Sequence, residues 1–464
     1  MQIPVLQGVY TNGVGDFRAS YPVNLVPVLA ETGISKAYLR PADGIVQFAA
    51  GPGTDRGAIN WNDECYRVMG SKLVKVSSAG AVTVLGDVGA GGQVSMDYSF
   101  DRLAVASNGM LYYWNGTTLT QVTDTDLGTV LDMIWVDGYF MTTDGTFLVV
   151  TELTDPTAVN PLKYGSSEAD PDPVKAIKKI RNEPHALNRY TIEAFENVGG
   201  PLFPFARIEG AQIQKGTVGT HSCCVLAGAL AFVGGGRNEA ISVYLGVNGQ
   251  AQKIGTREVD LILNSLTEAQ QEDILCEARV ENNHSFLYMH LPDRTMVYDA
   301  AASAAAGEPI WYVLTSSIAG FSQYRARNHV YCYGEWLVGD PLSVNVGRMD
   351  NSLSTHWGNL TGWQFQTMIV FNDARGAVFH ELELINIAGG ITNEPVVWTS
   401  FSTDGETWSA EKPRPAGRYG ERHRRIAWFR QGFMKQWRIQ RFRGTSDARI
   451  SIARLEAQLE PLNV

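Results

Sequence analysis

The residues that could carry chemistry are eight histidines and five cysteines, and they lack the spacing of a known catalytic or metal motif. The histidines are scattered without ligand spacing, so we interpret each as a structural, hydrogen-bonded side chain. The cysteines are odd in number and include no Cys-x-x-Cys pair, which indicates neither a disulfide framework nor a zinc site. They are Cys65, Cys223, Cys224, Cys276 and Cys332. We therefore expect no catalytic residue, no bound cofactor and no metal.

Common enzyme signatures are also missing from the sequence. There is no Gly-x-x-x-x-Gly-Lys-Ser/Thr loop, no Gly-x-Ser-x-Gly elbow and no His-Glu-x-x-His pattern. One short segment, Ser402-x-Asp404-Gly405-x-Thr407-Trp408, is similar to the Asp-box turn of sialidase propellers, with one residue fewer between Asp and Thr. We predict a hairpin turn in which Asp404 accepts backbone N–H bonds. The segment keeps open an alternative function, a β-propeller that binds or cleaves a host glycan.

Charge is distributed unevenly along the chain. Residues 411–464 hold 13 Lys or Arg against five Asp or Glu, a net charge of +8, whereas residues 1–410 carry a net charge of −18. Arginines mixed with aromatic residues can bind nucleic acid or can pair with acidic surfaces of the same or an adjacent subunit. The acidic body favours pairing, because each phosphate contact needs a cation. The predicted subunit or partner interface comprises Arg418, Arg422, Arg424, Arg425, Arg438 and Arg441.

The elements that would position these side chains are short strands joined by two-residue turns. Residues 102–106, 110–114 and 118–122 are predicted strands separated by Asn108-Gly109 and Asn115-Gly116, which are strong hairpin signals. Residues 132–136, 139–143 and 146–151 repeat this three-strand pattern around Asp137-Gly138 and Asp144-Gly145. Looser sets precede and follow them. Repeated meanders of three or four strands predict a β-propeller, with a β-sandwich or β-solenoid as the alternative.

The predicted fold is all-β, an irregular propeller of six or seven blades followed by a β-sandwich-like domain, with few short helices. We predict an N-terminal arm over residues 1–40, the propeller over 41–340 and the sandwich over 341–464. Ser265 or Thr267 can cap a helix from residue 266 to about 279, and residues 172–183 suggest a short basic helix or loop. Residues 300–307 are predicted to form a loop of small residues. No apolar run is long enough for a transmembrane helix, and no secretory signal is visible.

Collinear segments along nearly the whole chain carry a family resemblance. The segments are Tyr21-Pro22-Val23-Asn24, Tyr38-Leu39-Arg40, Gly44-Ile45, Cys65-Tyr66-Arg67-Val68, Gly70-Ser71-Lys72-Leu73, Gly86-Asp87-Val88, Val94-Ser95-Met96, His290-Leu291-Pro292, Val297-Tyr298-Asp299-Ala300 and Thr403-Asp404-Gly405. They look like the packaged-DNA stabilisation proteins of short-tailed phages, also called tail hub or nozzle proteins, of the type in the Salmonella transducing podovirus.

The resemblance implies a non-enzymatic structural protein of the virion tail, assembled in the host cytoplasm. It implies a homo-hexamer below the portal and its adaptor ring, which extends the DNA channel, retains the packaged genome and conducts it during ejection. Its implied partners are the adaptor ring, a tailspike or tail fibre, a tail needle or plug, and double-stranded DNA that passes without sequence-specific binding. The net charge of −10 per chain suits such a conduit, because an acidic wall repels phosphates.

Overall fold

The computed structural model describes residues 1–29, 35–373, 375–391, 395–417, 421 and 424–462. The chain forms two compact units, each discontinuous in sequence, whereas the predicted division is linear. The ring unit comprises Gln47–Pro292 and Arg325–Arg348. The terminal unit comprises Met1–Val46, Asp293–Tyr324 and Met349–Val464. Within the described residues, no helix is both long and apolar enough to cross a membrane.

The first strands of the chain are short and pair as hairpins. β2 pairs with β3, and β4 pairs with β5, both antiparallel. These strands are β1 (Gln2–Ile3), β2 (Gly8–Asn12), β3 (Asp16–Ser20), β4 (Leu25–Leu29), β5 (Ala37–Pro41) and β6 (Gly44–Ala50).

The ring unit contains seven successive sets of antiparallel strands. The first two sets are β7 (Asp55–Trp61), β8 (Glu64–Met69), β9 (Lys72–Val76) and β10 (Val82–Asp87), then β11 (Ser95–Tyr98), β12 (Leu103–Ser107), β13 (Met110–Trp114) and β14 (Leu119–Gln121). The third and fourth are β15 (Asp132–Val136), β16 (Tyr139–Thr143), β17 (Phe147–Thr151) and β18 (Val159–Ser166), then β19 (Val174–Ile180), β20 (Glu183–Asn188), β21 (Ile192–Asn197) and β22 (Phe205–Arg207). A 3-10 turn, Thr125–Leu127, precedes the third set.

The remaining sets of the ring unit are separated by helices. The fifth set is β23 (Gly216–Thr217), β24 (Cys223–Leu226), β25 (Ala229–Gly235), β26 (Ser242–Val247) and β27 (Gln250–Lys253), followed by α1 (Arg257–Asn264) and α2 (Glu268–Glu272). The sixth set in this unit is the hairpin of β28 (Leu275–Glu281) and β29 (His284–His290). In the terminal unit, β30 (Thr295–Asp299), α3 (Ala300–Ala306) and β31 (Trp311–Leu314) follow. The seventh set is β32 (Arg327–Cys332), β33 (Glu335–Gly339) and β34 (Asn345–Asp350).

One strand of each set lies next to its counterpart in the following set, and the series closes on itself. These inner strands are β7, β11, β15, β19, β24, β28 and β32, and β32 lies beside β7. Apolar side chains fill the space between neighbouring sheets. Leu103 and Val105 pack with the first set, for example, and Val330 and Leu337 of the last set also pack against it. Since no sheet can bury both faces alone, this stacking buries apolar faces that a single sheet would leave exposed.

The hairpin turns show how local sequence determines these sheets. Asn108 and Gly109 have φ of 51° and 77°, and Asp137 and Gly138 have φ of 49° and 90°, as a type I′ turn requires. The bounds predicted for β13, β15 and β16 are confirmed.

Three local predictions from the sequence are wrong. The helix expected over 266–279 ends at Glu272, although the predicted capping box of Thr267 and Gln270 is present. The second half of the predicted range belongs to the inner strand β28. Residues 174–180 form the inner strand β19, where a register shift between Val174 and Ala176 disturbs the period-2 pattern and imitates helical spacing. The expected small-residue loop is helix α3, because Asp299 caps it and alanine favours helix.

The terminal unit contains two antiparallel sheets that share one apolar core. The C-terminal strands are β35 (Gly362–Gln366), β36 (Val370–Phe371), β37 (Ala377–Ile391), β38 (Val396–Ser402), β39 (Lys412–Pro415), β40 (Ile426–Phe429), β41 (Phe433–Met434), β42 (Trp437–Thr445) and β43 (Ala448–Pro461). The first sheet has the order β4-β5-β43-β37-β40, and the second has the order β35-β42-β38-β39. Trp428 of the first and Phe442 of the second lie 5.5 Å apart between ring centroids.

Candidate functional site

The inner strands of the ring surround a cavity of about 410 Å³. Every one of the seven sets contributes to its lining, so the cavity lies on the axis of the ring. The residues that represent the successive sets are Ala58, Met96, Met133, Lys178, Cys224, Cys276 and Asn328.

Buried or half-buried carboxylates join neighbouring inner strands at three of the junctions. Asp97 of β11 accepts the backbone N–H of Trp135 in β15 at 2.7 Å. Asp132 of β15 accepts the backbone N–H of Ile177 in β19 at 2.9 Å. Glu277 of β28 accepts two successive backbone N–H groups of β32 at 2.7 and 2.9 Å. These charge-assisted hydrogen bonds fix each inner strand against the next.

At two of these junctions a lysine balances the carboxylate. Lys178 Nζ lies 2.8 Å from Asp132, and Lys179 Nζ lies 3.8 Å from Asp97. Burial acts to lower the pKa of Lys178, but the charge of Asp132, its hydrogen bond and smaller contributions from neighbouring groups together raise that pKa above the ordinary value. Lys178 is therefore protonated at neutral pH, and its contact with Asp132 joins the two inner strands.

The Glu277 junction has imidazoles where the other two have lysines. His329 Nδ1 lies 2.6 Å from one Glu277 oxygen, and His290 Nε2 lies 3.4 Å from the other. Burial lowers the pKa of His290 to about 4, although Glu277 acts in the opposite direction. His290 is therefore neutral at physiological pH. Along the sequence these histidines are scattered without ligand spacing, whereas the fold brings His290 and His329 to one carboxylate.

The junction between the seventh and first sets contains a buried ion pair. Arg67 donates to Asp55, and the exposed fractions of the two side chains are 0% and 1%. The Asn328 side chain donates to Asp55 at 2.6 Å, and the Asn328 carbonyl accepts from Arg67 at 3.2 Å. This network joins β7 and β8 to β32, so it closes the ring.

The thiols on the axis are poor nucleophiles. Burial raises the pKa of Cys223 to about 11 and also raises the pKa values of Cys224 and Cys276. A thiol with such a pKa is protonated at neutral pH, and only the thiolate attacks electrophiles efficiently. The axial cysteines therefore lack the activation that cysteine-dependent catalysis requires.

The arginines of the predicted interface differ in their surroundings within the terminal unit. Arg425 is exposed and donates to Glu381 at 2.8 Å and to both oxygens of Glu383 at 2.6 Å. Arg424 donates to Glu421 at 3.1 Å. These side chains are available at the surface, but acids of the same chain already neutralise part of their charge.

Two further interface candidates lie deeper in the terminal unit. Arg441 is half-buried, 4.2 Å from the centroid of the Trp408 ring, and donates to Ser400 at 3.2 Å. Arg438 is fully buried, with its guanidinium about 4 Å from each of two phenylalanine rings, Phe379 and Phe401.

Arg438 has an internal role in this fold. It donates to the Gln431 carbonyl at 2.6 Å and to the Gln440 side chain at 3.1 and 2.9 Å. Burial lowers its pKa to about 9. Arg438 therefore stabilises the interior in the isolated chain, and Arg418 and Arg422 lie outside the described residues. The interface stays a prediction, for which Arg424, Arg425 and Arg441 are the accessible described members.

The segment similar to an Asp-box forms the predicted turn. Asp404 Oδ1 accepts the backbone N–H groups of Glu406 and Thr407 at 3.0 and 2.8 Å, and Gly405 has φ of 80°. The hydroxyls of Thr407 and Ser402 lower the pKa of Asp404 well below its ordinary value, and these backbone bonds add to the effect. Both oxygens are thus engaged in the turn, since the Thr407 hydroxyl donates to the second one.

Two family models match the chain, and together they define a phage tail structural protein. The model described as Bacteriophage P22 Gp10, beta-propeller matches residues 1–354, and the model described as Bacteriophage P22 Gp10, beta-sandwich matches residues 362–460. The chain belongs to the bacteriophage P22 Gp10 family. The predicted fold class, the family resemblance and the placement in the virion are confirmed.

Individual proteins agree with this assignment. The tail hub protein gp10 of Salmonella phage P22 is 28% identical over 460 residues, which cover 94% of each chain. Among solved structures, the Pan2 WD40 domain of Neurospora crassa has a TM-score of 0.43 at 10% identity, covering 66% of this chain and 95% of that chain. The N-terminal domain of Nup159 has a TM-score of 0.41 at 10% identity, covering 66% and 90%. The fold assignment rests on the family models.

Proposed function

We propose that this protein is a hexameric tail hub that extends the DNA channel below the portal and adaptor ring. In this role it retains the packaged genome, conducts it during ejection and helps attach tailspikes or fibres. The observation that carries the proposal is the family match over both the propeller and the sandwich. The full-length similarity to a tail hub protein supports the same role.

The charge distribution supports a conduit that does not grip DNA. The chain has a net charge of −10, and in the basic segment Arg424, Arg425 and Arg443 pair with acids of this chain while Arg438 is buried. A wall that bound phosphates through many free cations would hold the DNA by counterion release. We infer that packaged DNA passes through the lumen without sequence-specific binding and that the protein works without making or breaking covalent bonds.

Genome retention is tested with virions that lack the protein. We expect particles assembled without it to lose their DNA to added nuclease, and addition of the purified protein to restore protection. Particles that stay full and infect normally without it would contradict the proposed function. Incubation with host polysaccharide tests the glycan alternative, since a hub is expected to give no cleavage.

Charge reversal at one arginine tests the predicted interface. Charge reversal by Arg425→Glu should slow assembly with the adaptor ring, because reversing an exposed interfacial charge mainly changes the association rate. Arg207→Glu is the matched control, since Arg207 is also exposed, lies in the ring unit and pairs with an acid of the same chain, Glu193, at 3.6 Å. Native mass spectrometry of each variant with the ring measures assembly. Equal rates for both variants would remove Arg425 from the interface.

A further inference from the structure

We propose that Glu277, His290 and His329 form a binding site for a divalent transition metal, with zinc as the expected ion. One potential ligand atom from each of the three residues lies within 4.8 Å of the other two. Two imidazole nitrogens and a carboxylate oxygen are a donor set that Zn²⁺ uses in proteins. The proposal goes beyond the hub function and does not depend on it.

The geometry brings the three donors toward one point. The Glu277 carboxylate lies between the imidazoles, at 2.6 Å from His329 Nδ1 and 3.4 Å from His290 Nε2. Ligands on a tetrahedral zinc ion, with bonds of about 2.0–2.2 Å, are separated by roughly 3.3 Å. His290 Nε2 already lies at about this separation from its Glu277 oxygen, and a shift of about 0.7 Å would bring His329 Nδ1 to it.

The surroundings already hold the carboxylate in position. The backbone N–H groups of Asn328 and His329 donate to the two Glu277 oxygens at 2.7 and 2.9 Å. Such outer hydrogen bonds orient a ligating carboxylate before the metal arrives. The imidazole of His329 also lies against the Tyr288 ring, with centroids 4.6 Å apart, which restricts its rotation.

The Glu277 junction differs from the Asp97 and Asp132 junctions in the groups that face its carboxylate. Asp97 and Asp132 face lysine ammonium groups, whereas Glu277 faces two imidazoles. A bound dication would supply at this junction the positive charge that lysine supplies at the others. The exposed fractions of the side chains are 11% for Glu277, 1% for His290 and 0% for His329. Since the site is nearly closed to solvent, we assign the ion a structural role between the sixth and seventh sets.

Metal analysis of the intact protein tests the site directly. The full chain is purified, stripped with a chelator, titrated with Zn²⁺ and analysed by inductively coupled plasma mass spectrometry after dialysis. We expect about one equivalent of zinc per chain and a higher thermal unfolding midpoint. Less than one tenth of an equivalent in the folded wild-type protein would overturn the proposal.

Variants locate the ion. His290→Gln places an amide near the position of Nε2, and His329→Asn places one near that of Nδ1. We expect each to weaken zinc affinity by more than about 100-fold, since loss of an outer-shell partner alone costs 10- to 100-fold. His380→Gln is the matched control, because His380 forms an exposed pair with Glu460 at 2.8 Å. Unchanged affinity in both ligand variants would overturn the assignment.

Cobalt spectroscopy gives a measurement that needs no variant. Co²⁺ bound by nitrogen and oxygen donors should show visible d–d absorption without a thiolate-to-cobalt charge-transfer band. That band would place the ion on the axial cysteines and overturn the proposed ligand set, even if the variants failed to fold.

Discussion

The Asp55→Asn substitution should open the ring at its closing junction. It removes the charge that compensates Arg67, whose side chain has an exposed fraction of 0%. Loss of one partner from a buried ion pair typically costs about 3–5 kcal/mol, because the remaining charge stays buried without compensation. At 1.4 kcal/mol for each factor of ten, this cost corresponds to an increase of about 100- to 4,000-fold in the opening equilibrium.

Hydrogen–deuterium exchange measures that opening where it should occur. We expect the amides of β7, β8 and β32 to exchange faster by this factor, because Asp55, Arg67 and Asn328 join these strands. Asp87→Asn is the matched control within the same sheet. It removes an exposed pair with Lys72, which water screens, so exchange should stay within error of the wild type.

A double variant separates the charge effect from packing. Asp55→Leu with Arg67→Met removes both charges together, and apolar replacement of a buried pair is often neutral or stabilising. We expect the double variant to exchange more slowly than Asp55→Asn. Exchange in Asp55→Asn as slow as in Asp87→Asn would refute the role of the ion pair, and so would a double variant that exchanges as fast as Asp55→Asn.

Three further results are expected, one for each of three buried side chains. Trp428→Ala should cost about 3–5 kcal/mol in the free energy of unfolding, measured by urea titration, whereas the exposed neighbour Phe429→Ala should have little effect. Alkylation of Cys223 by iodoacetamide at pH 8, followed by peptide mass spectrometry, should be about 100-fold slower in the folded than in the unfolded protein. Burial raises its pKa from 9.0 to about 11. Burial also lowers the pKa of His221 from 6.5 to about 4, so the unfolded state binds more protons between those values. As the pH drops from 6.5 to 4, the free energy of unfolding should fall by up to about 3 kcal/mol more in wild type than in His221→Gln. Equal pH dependence of the free energy of unfolding in the two proteins would refute the lowered pKa of His221.

The elements set by local chemistry could be predicted from the sequence. Asn108-Gly109 and Asp137-Gly138 determine tight turns whatever the rest of the chain does, and the strands beside them were placed correctly. The propeller followed from the repetition of such units. Residues 174–180 were misassigned because a register shift in β19 gives buried residues the spacing of a helix.

The axial network depends on contacts between residues far apart in the chain. Glu277 accepts from a residue 51 positions away, and Asn328 donates to a residue 273 positions away. A usable signal does exist, since Asp55, Asp97, Asp132 and Glu277 all belong to the first strand of their set. A polar residue recurring on the innermost strand of each repeat indicates a role on the axis.

The buried position of Arg438 could not be predicted from the composition of its segment. Arginine content predicted a surface, but Arg438, Gln440 and Phe442 alternate along β42 and are all buried. Alternation with Phe442 was the signal for an inward-facing arginine. Its burial between two aromatic rings depends on strand pairing, which the amino-acid composition of the segment does not predict.

A side-chain-resolution cryo-EM map of an intact virion tail tests the central claim most directly. The account predicts that this polypeptide forms a ring of six copies on the tail axis below the portal and adaptor ring, around a passage wide enough for duplex DNA. A density that places the chain away from that axis, or as isolated copies at the tail periphery, would contradict it.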